Sequence, residues 1–148
     1  MKTKNIPLFL ILFLWCAVIS AQQKDTHDQI KALKTAFITE KLAFNSTQAE
    51  SFWPVYNLFD KRFHDLRAKR RKDIYHKIKN DWDKMTDAEA MKLLETYFTL
   101  EMEEIAIEKE RIKALRSVIS PKEIITLKIA EEDFKRELLK RYRAGKQD

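Results

Sequence analysis

The chain reads as an all-α protein of four helices, and three observations carry that reading. One helix-start device occurs three times, apolar residues recur at helical spacing after each start, and 148 residues include only one glycine and three prolines. In the device a side chain caps the first free backbone amides, a residue three positions on reaches back to the cap, and an apolar residue before the cap packs one turn inside. At F-N-S-T-Q-A the cap is Asn45, its reciprocal partner is Gln48, and Phe44 staples to Ala49. At M-T-D-A-E-A those parts fall to Thr86 and Glu89, with Met85 against Ala90. At I-S-P-K-E-I Ser120 caps, Glu123 reciprocates, Ile119 staples to Ile124, and Pro121 takes the first helical position, where its missing amide is not needed.

The elements follow in order. Lys2 and Lys4 precede an apolar run, residues 6–19, closed by Ser20-Ala21, which predicts a secretory signal peptide over residues 1–21. The run is shorter than the ~20 residues a membrane span requires; an uncleaved anchor is the alternative. Trp15 stands where a lipoprotein signal needs a small residue, so Cys16 is expected to leave with the leader and residues 22–148 to form a single thiol-free helical domain. The first helix, residues 25–43, sets Ile30, Leu33, Phe37 and Phe44 on one stripe, widened by Ile38 and Leu42. Asp25, Thr26 and Asp28 suit its start, where the helix dipole favours acids, and His27 is an isolated exposed residue.

The second helix, residues 46–79, places Phe52, Tyr56, Phe59, Phe63, Leu66, Ile74 and Ile78 in a narrow stripe. Pro54 predicts a kink two turns in. Trp53 points off the stripe, either covering a neighbouring helix or offering an aromatic contact. Residues 67–72, R-A-K-R-R-K, form a basic collar spread around the helix, read either as a solvated segment or as a dock for an acidic partner. Arg70 falls within the apolar stripe and needs a carboxylate.

The third helix, residues 87–118, is expected to turn Leu94, Phe98, Ile105, Ile112, Leu115 and Ile119 inward, interrupted by Glu101 and Glu108. It pairs with the second as an antiparallel hairpin in which Arg70 meets Glu101, a device of register rather than of catalysis. The fourth helix, residues 121–142, carries Ile124, Leu127, Phe134, Leu138 and Tyr142 inward and ends in a frayed tail. Aligning Asn45 with Ser120 sets Phe59 on Phe134 and Phe63 on Leu138, a weak internal repeat.

F-N-S-T-Q and I-S-P-K-E resemble two relaxed copies of the L-T-x-x-Q motif of the periplasmic Spy/CpxP-like proteins. The string I-T-E-K-L-A-F-N-S-T-Q-A-E-S-F-W-P-V-Y-N, residues 38–57, resembles the branch of that family described as sensors of ECF-type sigma factors. Phe44 replaces Leu, Asn45 replaces Thr, and Ser120 and Glu123 replace Thr and Gln in the second copy, all changes that preserve capping. The resemblance implies an extended layer of helices, long and bent in its second and third members, that dimerises. It also implies an envelope-stress role, either as a sensor linked to an ECF sigma factor system or as an ATP-independent holdase of unfolded clients.

Composition narrows the function classes. The full chain carries +6, and loss of Lys2 and Lys4 leaves the exported body at about +4, which favours anionic partners such as acidic unfolded chains or lipid headgroups. The lone Gly145 lies in the tail, so phosphate-cradling loops and strained nucleophile turns have no material. His64 and His76 stand twelve apart, without cysteine or ligand spacing, so neither a metal site nor a cofactor is expected. Glu101 and Glu108 lie roughly 10 Å apart along one helix, with no histidine beside them, and Ser46 and Ser120 are occupied at helix starts. No catalytic residue is assigned, and no enzyme is expected.

The second and third helices are each ~45–50 Å long, too extended for a compact bundle, so an incompletely covered apolar surface is expected to mark an interface. The contact residues assigned are Trp53, Arg67, Lys69, Arg71 and Lys72. The partners expected are an envelope or inner-membrane signalling protein, or unfolded clients, and a second copy of the chain. Nucleic acid is not expected, and membrane contact is at most peripheral. Sigma factors are cytoplasmic, so an exported sensor would act through an intermediate membrane protein. A sensor should prefer one folded envelope domain, whereas a holdase should protect many unrelated unfolded chains.

Overall fold

The computed structural model describes residues 28–144. The leader with its cut after Ala21, Cys16, the helix start at Asp25 to His27 and tail residues 145–148 lie outside the described residues. The described chain is all-helical and divides into two units, residues 44–126 and residues 28–43 with 127–144, each taken by itself.

In the larger unit, Asn45 opens helix α2 (Ser46–Arg70) with extended backbone, its side chain accepting from the Gln48 amide at 2.9 Å while Gln48 Oε1 accepts from the Asn45 amide at 3.2 Å. Each bond satisfies an amide that the first helical turn leaves free. The Phe44 ring packs at 4.8 Å from Phe52, three residues beyond the expected Ala49. Pro54 is accommodated inside α2, and the helical line continues through a five-residue π turn, Arg71–Tyr75, into α3 (His76–Asp81) and a short 3-10 turn, Trp82–Lys84. The His76 amide donates to the Arg71 carbonyl, five residues back, which is the signature of the wider turn.

Thr86 then caps α4 (Asp87–Leu115), accepting from the Glu89 amide at 3.3 Å, and the Thr86 amide donates to Glu89 Oε2 at 2.8 Å. α4 runs back along α2 as an antiparallel hairpin. Their core joins Phe59, Leu66 and Ile74 to Leu100 and Ile107, with Val55, Phe63, Ile78, Leu93 and Ala114 packed around it. The α2 stripe legible in the sequence is the stripe that is buried.

The α4 stripe is not. Leu94, Phe98 and Ile105, expected inward, are 51%, 61% and 56% exposed, and the buried residues of the helix are Leu100, Ile107, Arg111 and Leu115. The packed seam is Leu93, Leu100, Ile107 and Ala114, a strict seven-residue repeat. Leu115 and Ile119 are buried as expected, and Ile112 is half-buried.

After Ile119, buried together with Ile124, Ser120 opens α5 (Pro121–Ala144). The Ser120 amide donates to Glu123 Oε2 at 2.7 Å, and Ser120 Oγ accepts from the Glu123 amide at 3.2 Å.

In the smaller unit, α1 (residues 28–42) and α5 from Leu127 onward supply the buried Ile38, Leu42, Leu127 and Ala130, and the rings of Phe37 and Phe134 lie 5.7 Å apart. Ile38 and Leu42, expected only to widen the α1 stripe, are its buried residues, while Leu33 is 47% exposed. Tyr142, expected inward on α5, is exposed. α1 ends at Ala43 with φ 52° and an amide donating to the Glu40 carbonyl at 3.2 Å, a left-handed position that glycine would take without steric cost.

Two predictions test these local devices. Ala43→Gly should raise unfolding stability by about 1 kcal/mol by relieving the left-handed backbone, and Asn45→Ala should lower it by about 1 kcal/mol through loss of the cap, both read by urea denaturation. The carboxyls of Glu89 and Glu123 are held below their ordinary 4.5, Glu89 chiefly by the Thr86 backbone amide and Glu123 chiefly by the Ser120 hydroxyl. The fold therefore favours their charged forms, so this stabilisation is fully present above about pH 4.5 and is lost as pH falls through the lower folded values. A thermal-melting series should show the wild type losing stability on acidification, and Glu89→Gln/Glu123→Gln should flatten that slope; an unchanged slope would show the caps to be uncoupled from it.

Candidate interaction surfaces

The residues assigned as contacts from sequence are not brought together as one patch. Trp53 is half-buried, edge-on to Phe52 at 5.0 Å and to Tyr56 at 5.2 Å, in an aromatic cluster of its own helix. Lys69 Nζ lies 2.9 Å from Glu103 Oε2. Arg67, Arg71 and Lys72 are exposed and have no ion-pair partner among the described residues.

Arg70 is the member of the collar that turns inward. Its Nη2 lies 2.9 Å from Glu101 Oε1 and 2.6 Å from Glu104 Oε2, with the Arg70 side chain 17% exposed. The hydrogen bond from Arg70 to Glu104, aided by the charges of both carboxylates, holds the guanidinium even more firmly protonated than usual. Arg70 Nε is buried without a partner. The sequence pointed to Glu101, whereas Glu104, one turn on, makes the shorter contact.

A second pair, Arg62 to Glu110 at 2.5 Å, fixes the same antiparallel register, and the arginine keeps the Glu110 carboxyl below its ordinary value. Arg111, unremarked in the sequence, is buried on α4 with its guanidinium 5.4 Å from the Tyr56 ring and 5.9 Å from the Phe63 ring, beside Glu108 at 3.4 Å. A cation on two aromatic faces needs no full carboxylate cage. The signal for it was present only as two aromatics on a different helix, which spacing along α4 cannot reveal.

Two exposed surfaces remain in the larger unit. The outer side of α4 sets Met91, Leu94, Phe98, Met102 and Ile105 in one line, each more than half exposed. At the far end of the hairpin, Tyr75 and Trp82 are 58% and 67% exposed. Beside Trp82 opens an apolar groove of about 310 Å³ floored by Ile74, Ile78, Met85 and Leu93. Trp82 is more exposed than the half-buried Trp53, and it lies between the stretches expected as the second and third helices.

Among the described residues no group of three histidine, cysteine, aspartate or glutamate side chains is placed to hold a metal ion, and no helix is long and apolar enough to cross a membrane. Compared with protein-family models, with curated proteins and with solved structures, the chain matches none.

If the Arg70 cluster sets register rather than stability, Arg70→Met should remain within about 1 kcal/mol of wild type, because both carboxylates retain access to water and exposed pairs contribute little. Arg70→Glu, which gathers three carboxylates on the seam, should lower the urea midpoint well beyond that. Equal midpoints for the two variants would rule out the register role.

Proposed function

We propose that this chain is a non-enzymatic, exported sensor or regulator of envelope status that acts by protein binding and dimerises through the outer face of α4. The exposed line of Met91, Leu94, Phe98, Met102 and Ile105 is the observation that carries the protein-binding reading. Together with Tyr97 it offers roughly 600 Å² of side-chain surface, against the ~800 Å² per partner of an ordinary stable interface. The line is self-complementary. A second α4 laid antiparallel about Phe98 sets Met91 on Ile105 and Leu94 on Met102, and brings the acidic Asp87 to the basic Lys109 of the other copy.

The link to an ECF sigma factor system rests on the resemblance of residues 38–57 and of the two capping motifs to the Spy/CpxP-like family. In this reading a membrane protein relays the signal. An ATP-independent holdase is the alternative function, favoured by the amount of apolar surface on α4 and at Trp82 beside unpaired cations.

The chain from Gln22 should sediment as a dimer, and Phe98→Asp should sediment as a monomer of unchanged helix content. Phe98→Cys, the sole cysteine of that chain once Cys16 is gone, should oxidise to a covalent dimer, whereas a lone Met91→Cys should not. A monomeric wild type would remove the self-pairing. Adding the dimer, without nucleotide, to several unrelated unfolding proteins separates the two functions: suppression of aggregation across all of them favours the holdase, and suppression of none favours the dedicated sensor.

A further inference from the structure

We infer that the outward line of α2, the π turn and α3 is a docking surface for an anionic lipid bilayer. Arg67, Arg71, Tyr75, Lys79 and Trp82 follow one another at four, four, four and three residues, and all five are exposed. In a plain α-helix each step of four drifts by about 40° around the axis, so a long line of such steps winds away from any plane. The π turn, Arg71–Tyr75, is wider than an α turn and offsets that drift midway. From Arg67 to Lys79 the row spans about 18 Å, and Trp82 follows just past Asp81, where the backbone leaves the helix (φ -120°, ψ 1°); cations and amphipathic aromatics are interleaved along it.

Arg67, Arg71 and Lys79 have no ion-pair partner among the described residues. Asp73 and Asp81 lie on other sides of the helix, and Asp83 flanks Trp82. The row therefore has a positive edge at low internal cost.

Three features select a bilayer over an acidic protein. The five side chains are exposed along one helical run, a linear array that a plane can touch along its length, whereas a folded partner would need a matching trough. Tyrosine and tryptophan carry apolar rings with polar edges and sit at the headgroup level of membranes, and arginine and lysine reach from there to phosphate. The groove beside Trp82 is wholly apolar, and its 310 Å³ gives room for a segment of one acyl chain rather than for a protein element. The row itself is separate from the α4 line, while the groove beside Trp82 is also lined by Leu94 and Tyr97 of α4; the inference does not rest on the protein-binding reading.

The test uses the chain from Gln22 carrying Trp53→Phe, its helix content first matched to that of the full chain, so that Trp82 is the sole tryptophan. With vesicles of equal phosphatidylglycerol and phosphatidylcholine, Trp82 emission should shift to the blue and be quenched by brominated acyl chains. Arg71→Ser/Lys79→Ser should weaken partitioning about thirty-fold, from roughly fivefold per cation near an anionic surface. Raised salt should weaken it in the same direction. Trp82→Ala, followed by vesicle flotation, should reduce binding with helix content unchanged. An absence of any shift, equal partitioning into pure phosphatidylcholine, or binding of polyglutamate along this row without vesicle binding would each overturn the inference.

Discussion

The charges laid along the seam between α2 and α4 decide which side of α4 is buried, and most of what distinguishes this molecule follows from that choice. Arg62, Lys69 and Arg70 on one helix meet Glu110, Glu103 and the Glu101–Glu104 couple on the other, all in one antiparallel register. The pairs are too exposed to contribute much stability, and the buried, unpartnered Arg70 Nε subtracts from it. Their effect is selective. Any other rotation of α4 would leave Arg70 against apolar side chains without a carboxylate, which is far more costly than the pairs are favourable.

Once that rotation is fixed, the second apolar line of α4 has nowhere to go but outward. Leu93, Leu100, Ile107 and Ala114 meet the aromatic stripe of α2, and Leu94, Phe98 and Ile105 are carried to the opposite side. The same hairpin thus holds a conventional core and an uncovered apolar line. Its far end differs in kind: there the π turn straightens a row of cations and aromatics rather than of aliphatic side chains. One surface suits another helix and the other suits a charged plane, and the groove beside Trp82 adjoins both through Leu94 and Tyr97.

The helix starts obey shorter-range physics. A capping box closes within four residues, and its hydrogen bonds at Asn45, Thr86 and Ser120 depend on nothing beyond the turn that contains them. That locality is why all three could be read directly from the chain. Ala43 shows the converse case, since nothing in its side chain announces the left-handed conformation that it adopts between α1 and α2.

Periodicity and capping chemistry determined the helices, the three capped starts and the buried stripe of α2, because each depends on spacing along one segment. The sequence also named Arg70 as a cation in need of an acid, from its place within an apolar stripe. Tertiary structure alone decided which of two competing stripes on α4 would be buried. Counting apolar residues favours the line through Leu94, Phe98 and Ile105, whereas the packed line alternates with glutamates whose partners lie on another helix. It alone placed Arg111 on the rings of Tyr56 and Phe63 and left Trp82 free beside the change of helical pitch. Each of these depends on a contact between residues far apart in the chain or on a local change of helical pitch, and neither is written in the spacing of a single helix.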